Sequence, residues 1–222
     1  MYRCKENCLE KINPSGKFAL MGECVGDACT HPDMQYDWEV YTVKEITGDG
    51  KIIWELDEAV MQAVAQYTKD KVFVIKKFTL TPSKLYRFTL KGGIIGGAKG
   101  LAQRNGFTNT PPKGGNCFPN TNVGEAMQTL FTFTCENWED EDVPLRYEFV
   151  YYNEIGAESL FFFGASNVAS GKLPMGAEKD NFTIRFDVRI IDVYEATSVV
   201  SFNVSVSSIP SLQKREKVTP KE

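Results

Sequence analysis

The sequence predicts an all-β chain folded as two tandem β-sandwiches. Three observations point there. Stretches of alternating apolar and polar residues recur at short spacing, Gly, Pro, Asn and Ser turns separate them, and the whole series repeats on either side of a break near Asn105–Lys113. A chain of 222 residues has room for two domains of about 100 residues each. Fifteen Phe and nine Tyr, with many Val and Thr, favour strands over helices. The expected division is residues 1–106 with a cysteine-rich start, residues 107–209, and a polar linker tail over residues 210–222.

In the first half, strands are expected at Phe18–Val25, Met34–Val43, Lys51–Leu56, Val72–Leu80 and Leu85–Lys91, with turns at Asn13-Pro-Ser-Gly16, Gly48-Asp-Gly50 and Thr81-Pro-Ser83. Asp57–Gln66 is long enough for two helical turns, or for an irregular connection between sheets. Trp38, in Tyr36-Asp-Trp38, is expected in the inter-sheet core. Trp54 alternates with Ile52 and Leu56, so it is expected there too. In the second half the strands are Met127–Thr134, Leu145–Tyr152, Ser159–Phe163, Phe182–Asp192 and Ser198–Ser207. Phe182, Ile184, Phe186, Val188 and Ile190 share one face, and Arg185, Asp187 and Arg189 the other. Val200, Phe202, Val204 and Val206 continue the apolar face on the last strand.

A net charge of −4 gives no basic face for nucleic acid or an anionic membrane. Six cysteines without Cys-x-x-Cys spacing, and a single histidine, His31, do not make a zinc site. They read instead as an oxidised, extracellular set. The sequons Asn181-Phe-Thr and Asn203-Val-Ser point the same way as glycosylation acceptors. Met1 is followed by polar residues rather than a secretory leader, and no apolar run approaches the roughly 20 residues needed to span a bilayer. An extracellular chain of this kind is expected to be a segment of something longer.

The turn at Asn13–Gly16 folds Phe18–Val25 back on the first cysteines. Of the three pairings open to four cysteines, this favours the nested one, Cys8–Cys24 with Cys4–Cys29, with a bulge at Gly26. Cys117 and Cys135 then pair by elimination.

Catalytic chemistry finds few parts here. His31 precedes Pro32 in a turn beside Cys29 and is expected to be a surface-loop residue, so no catalytic residue is assigned. Lys91–Gly100 is glycine-rich but lacks a phosphate loop's Gly-Lys-Ser/Thr, and is expected to be a flexible loop between the last two strands of the first domain. Glu136–Asp142 is a dense acidic turn. Glu139, Asp140 and Asp142 are its candidate calcium ligands, weighed against an ordinary solvated charge cluster, since the spacing of a known calcium loop is missing. Trp138 is expected in core or domain-junction packing rather than on a sugar-binding shelf. No cofactor is expected.

Leu80, Pro82 and Tyr86 resemble the tyrosine corner of fibronectin type III domains, which makes the expected fold two tandem fibronectin type III-like (immunoglobulin-like) sandwiches. A wider resemblance covers most of the chain. Cys4-x-x-x-Cys8, Gly22-Glu-Cys24 and Tyr36-x-Trp38 open it, and Leu80-x-Pro82-x-x-x-Tyr86-x-Phe88 lies in its middle. Asn109-Thr-Pro-Pro112-x-Gly114-Gly-x-Cys117, Cys135-x-x-Trp138-x-Asp140 and Pro144-Leu145-x-Tyr147 follow. This ordered set resembles the receptor-for-egg-jelly (REJ) module of the polycystin family. Ile191-Asp-Val-Tyr-Glu-Ala departs from it where an Asp-x-x-Gly turn is expected. The resemblance implies a non-catalytic, ligand-facing ectodomain module on the extracellular face of a membrane receptor, ciliary or on sperm. The partners it implies are an extracellular glycan or protein ligand and, through the full-length receptor, a polycystin-type cation channel subunit, with no nucleic acid and no membrane contact by the segment itself. A generic adhesion or carbohydrate-binding sandwich and a secreted enzyme are the rival readings.

Overall fold

The structure, a computed structural model, describes residues 1–24 and 33–208. Cys29, His31 and the tail from residue 210 lie outside them. The chain divides into two compact units, Met1–Thr110 and Pro111–Glu222. The division falls beyond residue 106 because the last strand of the first unit runs to Thr108, and Asn109 N–H still donates to Ile12 O at 2.8 Å.

The first unit contains β1 (Tyr2–Glu6), β2 (Lys11–Ile12), β3 (Phe18–Gly22), β4 (Met34–Ile46), β5 (Ile52–Leu56), α1 (Glu58–Ala63), β6 (Val72–Ile75), β7 (Leu85–Ile94) and β8 (Lys99–Thr108). Three strands, β1-β3-β6, face five, β2-β8-β7-β4-β5. The opening segment changes sheets: β1 lies antiparallel to β3, whereas β2 lies parallel to β8. Alternation places Trp38, Val40, Tyr86, Phe88 and Leu90 of the larger sheet against Phe18, Leu20, Phe73 and Ile75 of the smaller. Each such side chain contributes on the order of 1.5–3 kcal/mol by leaving water. Asp57 caps α1 by accepting the Val60 N–H at 3.0 Å, and Val60 and Val64 close over the core.

The second unit contains β9 (Asn116–Pro119), β10 (Val123–Glu125), β11 (Phe131–Glu136), β12 (Arg146–Tyr152), β13 (Glu158–Gly164), β14 (Val168–Gly171), β15 (Thr183–Ile191) and β16 (Thr197–Ser207). Its sheets, β14-β11-β9 and β10-β16-β15-β12-β13, reproduce the arrangement of the first unit strand for strand. Here too the opening segment is split, with β9 antiparallel to β11 and β10 parallel to β16. Phe133 is the centre of the core. Its ring lies 4.4 Å from Phe186, 5.6 Å from Phe202 and 5.3 Å edge-on from Phe161.

Three expectations need correction. The nested pairing of Cys8 with Cys24 and Cys4 with Cys29 does not form, because Cys4 is bonded to Cys8. β1 is irregular between Cys4 and Glu6, and Asn7 turns left-handed at φ 58°, so the two Cα atoms come within 5.8 Å instead of lying apart on an extended strand. Cys24 is disulfide-bonded as well. Lys91–Gly100 is not a loop: β7 and β8 carry most of it, and only Ile95–Ala98 turn. Gly93 permits this pairing, since a Cβ there would lie 2.6 Å from Ala98 O. Trp54 is outside the core. It sits half-buried on the outer face of its sheet, with the Arg87 guanidinium 4.1 Å from the ring centre.

Candidate ligand-facing surface

The motifs of the chain's centre converge on one end of the second unit. Cys117 and Cys135 stand directly opposite each other on β9 and β11 and are bonded, with Cα atoms 4.1 Å apart. Both are buried. Just beyond them Lys113 and Glu139 exchange two backbone hydrogen bonds of 3.0 Å. Gly114 is left-handed at φ 82°, and Gly115 lies under Trp138, where a Cβ would come within 2.4 Å of Trp138 Cγ. The spacing of the paired glycines, the two cysteines and the tryptophan is therefore a packing requirement. Trp138 packs against the core rim as expected, and its Nε1 is buried without an acceptor among the described residues.

The acidic loop after β11 is tied to the turn between β15 and β16. Asp142 N–H donates to Asp140 Oδ1 at 2.7 Å, and Val193 N–H to Asp142 O at 3.4 Å. Asp192 Oδ1 accepts the N–H groups of Tyr194 at 2.8 Å and Ala196 at 2.9 Å. Glu195, at φ 69°, occupies the left-handed position where the family-like turn has glycine. Of the calcium candidates, Asp140 and Asp142 come together, but the third carboxylate within 4.8 Å is the buried Asp192. Glu139 is exposed and is not part of that group. Spacing along the chain had no means of finding Asp192, fifty residues further on.

The tyrosine corner is formed: Tyr86 is fully buried and its hydroxyl accepts the Thr81 N–H at 3.1 Å. Trp38 is buried, donates to Asp70 O at 3.0 Å and stacks on Phe73 at 5.2 Å. Asn181, at the end of a 3₁₀ turn, and Asn203, on β16, are both exposed.

On the outer faces of the five-stranded sheets, charges are paired. In the first unit Lys91 donates to Glu39 at 2.6 Å. Burial alone would raise the Glu39 carboxyl, but that hydrogen bond, with one from Tyr41, outweighs it and holds the group below its ordinary value. In the second, Asp187 accepts from Ser201, Tyr152 and Arg185. Burial again pushes the carboxyl up, and these donors more than offset it, so its pKa is lowered. Arg189 bridges Glu148 and Glu158, which raises its pKa.

Clefts open on the surface of both units. Two, of about 440 and 470 Å³, lie in the first unit, and one of about 390 Å³ lies in the second. Among the described residues lining them there is no histidine, and the one cysteine, Cys24, is disulfide-bonded.

Fold and surface together define a tandem pair of disulfide-stapled, fibronectin type III-like sandwiches. The chain belongs to the REJ domain family, whose profile matches residues 2–218. It is 25% identical over 217 residues to the polycystin family receptor for egg jelly of Mus musculus, covering 92% of this chain and 10% of that protein. To the human protein of the same name it is 22% identical over 218 residues, covering 92% of this chain and 9% of that protein. The chain thus spans about a tenth of the length of these relatives. Among solved structures, chicken CNTN1 FN1–FN3 domains align over 88% of this chain and 68% of theirs, at 11% identity and a TM-score of 0.42. A marsupial T cell receptor aligns over 93% and 72%, at 8% identity and 0.43. No helix among the described residues is long and apolar enough to cross a membrane.

Proposed function

We propose that this REJ domain is a non-catalytic, ligand-facing module in the ectodomain of a polycystin-like cell-surface receptor. It contributes to adhesion or ligand sensing, which the full-length receptor couples to a polycystin-type cation channel. The observation that carries the reading is the acidic loop of the second unit, pinned at both ends. The Lys113–Glu139 bridge and the Cys117–Cys135 disulfide hold its start, and the Asp142–Val193 bond holds its end. Glu136 and Glu139 are thereby presented on a rigid scaffold, where recognition is commonly placed. An acidic rim favours a protein ligand with a basic surface over an anionic glycan. A sugar-binding shelf is less favoured, because Arg87 covers the half-buried Trp54 ring.

The test is an array of extracellular proteins and glycans probed with the secreted module, run beside a broad hydrolase panel. The expected result is saturable binding to a protein that weakens about ten-fold when Glu136→Gln and Glu139→Gln are combined. Substrate turnover, or binding indifferent to the loop charges, overturns the proposal.

A further inference from the structure

The cleft of the second unit lies between the loop joining β12 to β13 and the segment joining β14 to β15. Tyr151, Tyr152, Asn153, Ile155, Met175 and Asp180 line it, and Thr183 stands at its edge. Lys179 Nζ donates to Glu154 O at 3.4 Å and joins the two walls. The cleft leaves apolar surface in water: Ile155 is 86% exposed and Met175 43%. Asp180 and Thr183 flank Asn181, the acceptor of the first sequon, which stands on a turn at φ 57° and ψ 38°.

We infer that an N-linked glycan on Asn181 seats its first N-acetylglucosamine residues in this cleft, covering Ile155 and Met175. The inference rests on the extracellular reading proposed above. Attachment forms a bond between Asn181 Nδ2 and the anomeric carbon of a lipid-pyrophosphate-linked oligosaccharide. That carbon's bond to the pyrophosphate breaks, the lipid pyrophosphate leaves, and the amide gives up one proton. The sugar is then tethered beside the cleft at an effective concentration in the millimolar range, so weak contacts suffice to hold it. The apolar face of a sugar ring suits Ile155, Met175 and the tyrosine edges, while its acetamido and hydroxyl groups suit Asp180 and the Asn153 side chain. Asn203 supplies an internal control. It lies on β16 opposite Arg185 of β15 and is not among the residues lining the cleft, and the hydroxyl of its own sequon, Ser205, donates to Asn181 O at 3.4 Å.

The experiment is secretion of the chain from cells that add N-glycans, followed by glycopeptide mass spectrometry during digestion of the native protein with an amidase that removes them. The Asn181 glycan should come off about ten-fold more slowly than in the Ile155→Asp, Met175→Asp variant, whose substitutions fall on exposed side chains. Removal at Asn203 should be unchanged by that variant. Equal Asn181 rates in the two proteins, or glycan on Asn203 but none on Asn181, overturns this inference alone. Secreted protein without glycan at either sequon removes the extracellular reading along with it.

Discussion

The Tyr86 hydroxyl accepts the Thr81 backbone N–H across 3.1 Å and fixes the chain where it crosses from β6 to β7. The ring is fully buried among Leu80, Phe88 and Phe18, so the hydroxyl is separable from the packing. Tyr86→Phe is expected to leave the fold intact and destabilise the first unit by about 1 kcal/mol, because the Thr81 N–H loses its acceptor while the ring packing remains. Equilibrium denaturation in urea checks this, and an unchanged midpoint contradicts it.

Gly115 lies against the face of Trp138 with no room for a side chain. Gly115→Ala must displace the indole or the backbone and should cost the second unit about 1–3 kcal/mol. Gly48, with nothing within 4 Å of its would-be Cβ, is the matched control. Thermal unfolding of both variants separates the two cases.

Glu195 carries a side chain at a left-handed turn position, φ 69°. Replacing it with glycine relieves that strain, and Glu195→Gly should stabilise the second unit by up to about 1 kcal/mol. Loss of stability would mean that the Glu195 side chain is worth more than the strain it imposes.

Asp187 is buried, with Ser201, Tyr152 and Arg185 donating to it, and folding lowers its pKa below the ordinary 3.8. Its contribution is therefore complete above that ordinary value and disappears as the pH falls through the lower folded value. Asp187→Asn should cost about 1–3 kcal/mol at neutral pH and flatten the acid limb of the stability profile. Urea denaturation at pH steps between 7 and about 2 reads both effects.

Much of this architecture was legible because apolar alternation is local information. Ile184 to Ile190 and Val200 to Val206 announce their strands and inner faces by period alone, whereas Phe182, expected on the same face, lies before β15 at φ 58° and is outside the core. Tyr86 is legible from the short, fixed spacing of Leu80, Pro82 and Tyr86, and the Cys117–Cys135 pair follows by elimination among the six cysteines. The short strands β9, β10 and β14 carry three or four residues each, too few for a period to show. The Cys4–Cys8 bond depends on an irregular strand and a left-handed Asn7, which no midpoint argument from the Asn13–Gly16 turn anticipates. Asp192 joins the acidic loop through the pairing of β12 with β15, where Arg146 stands opposite Ile191, a relation between distant segments. Trp54 reads as core because Ile52, Trp54 and Leu56 alternate, yet its ring lies on the outer face under the Arg87 guanidinium.

The disulfides should differ in what they contribute. In the entropic account the ring closed by Cys4–Cys8 is worth about 2 kcal/mol and the longer one closed by Cys117–Cys135 about 3. Replacing Cys117 and Cys135 with Ala should cost the second unit more than the same change at Cys4 and Cys8 costs the first. Calorimetry of the two double variants checks the order.

The central claim, an oxidised pair of sandwiches working outside the cell, meets its most direct test in a non-reducing peptide map of the secreted chain. The account predicts linked peptides for Cys4–Cys8 and Cys117–Cys135, no free thiol, and glycan at Asn181. A free thiol at Cys117, or Cys4 linked to Cys29 and Cys8 to Cys24, would contradict it.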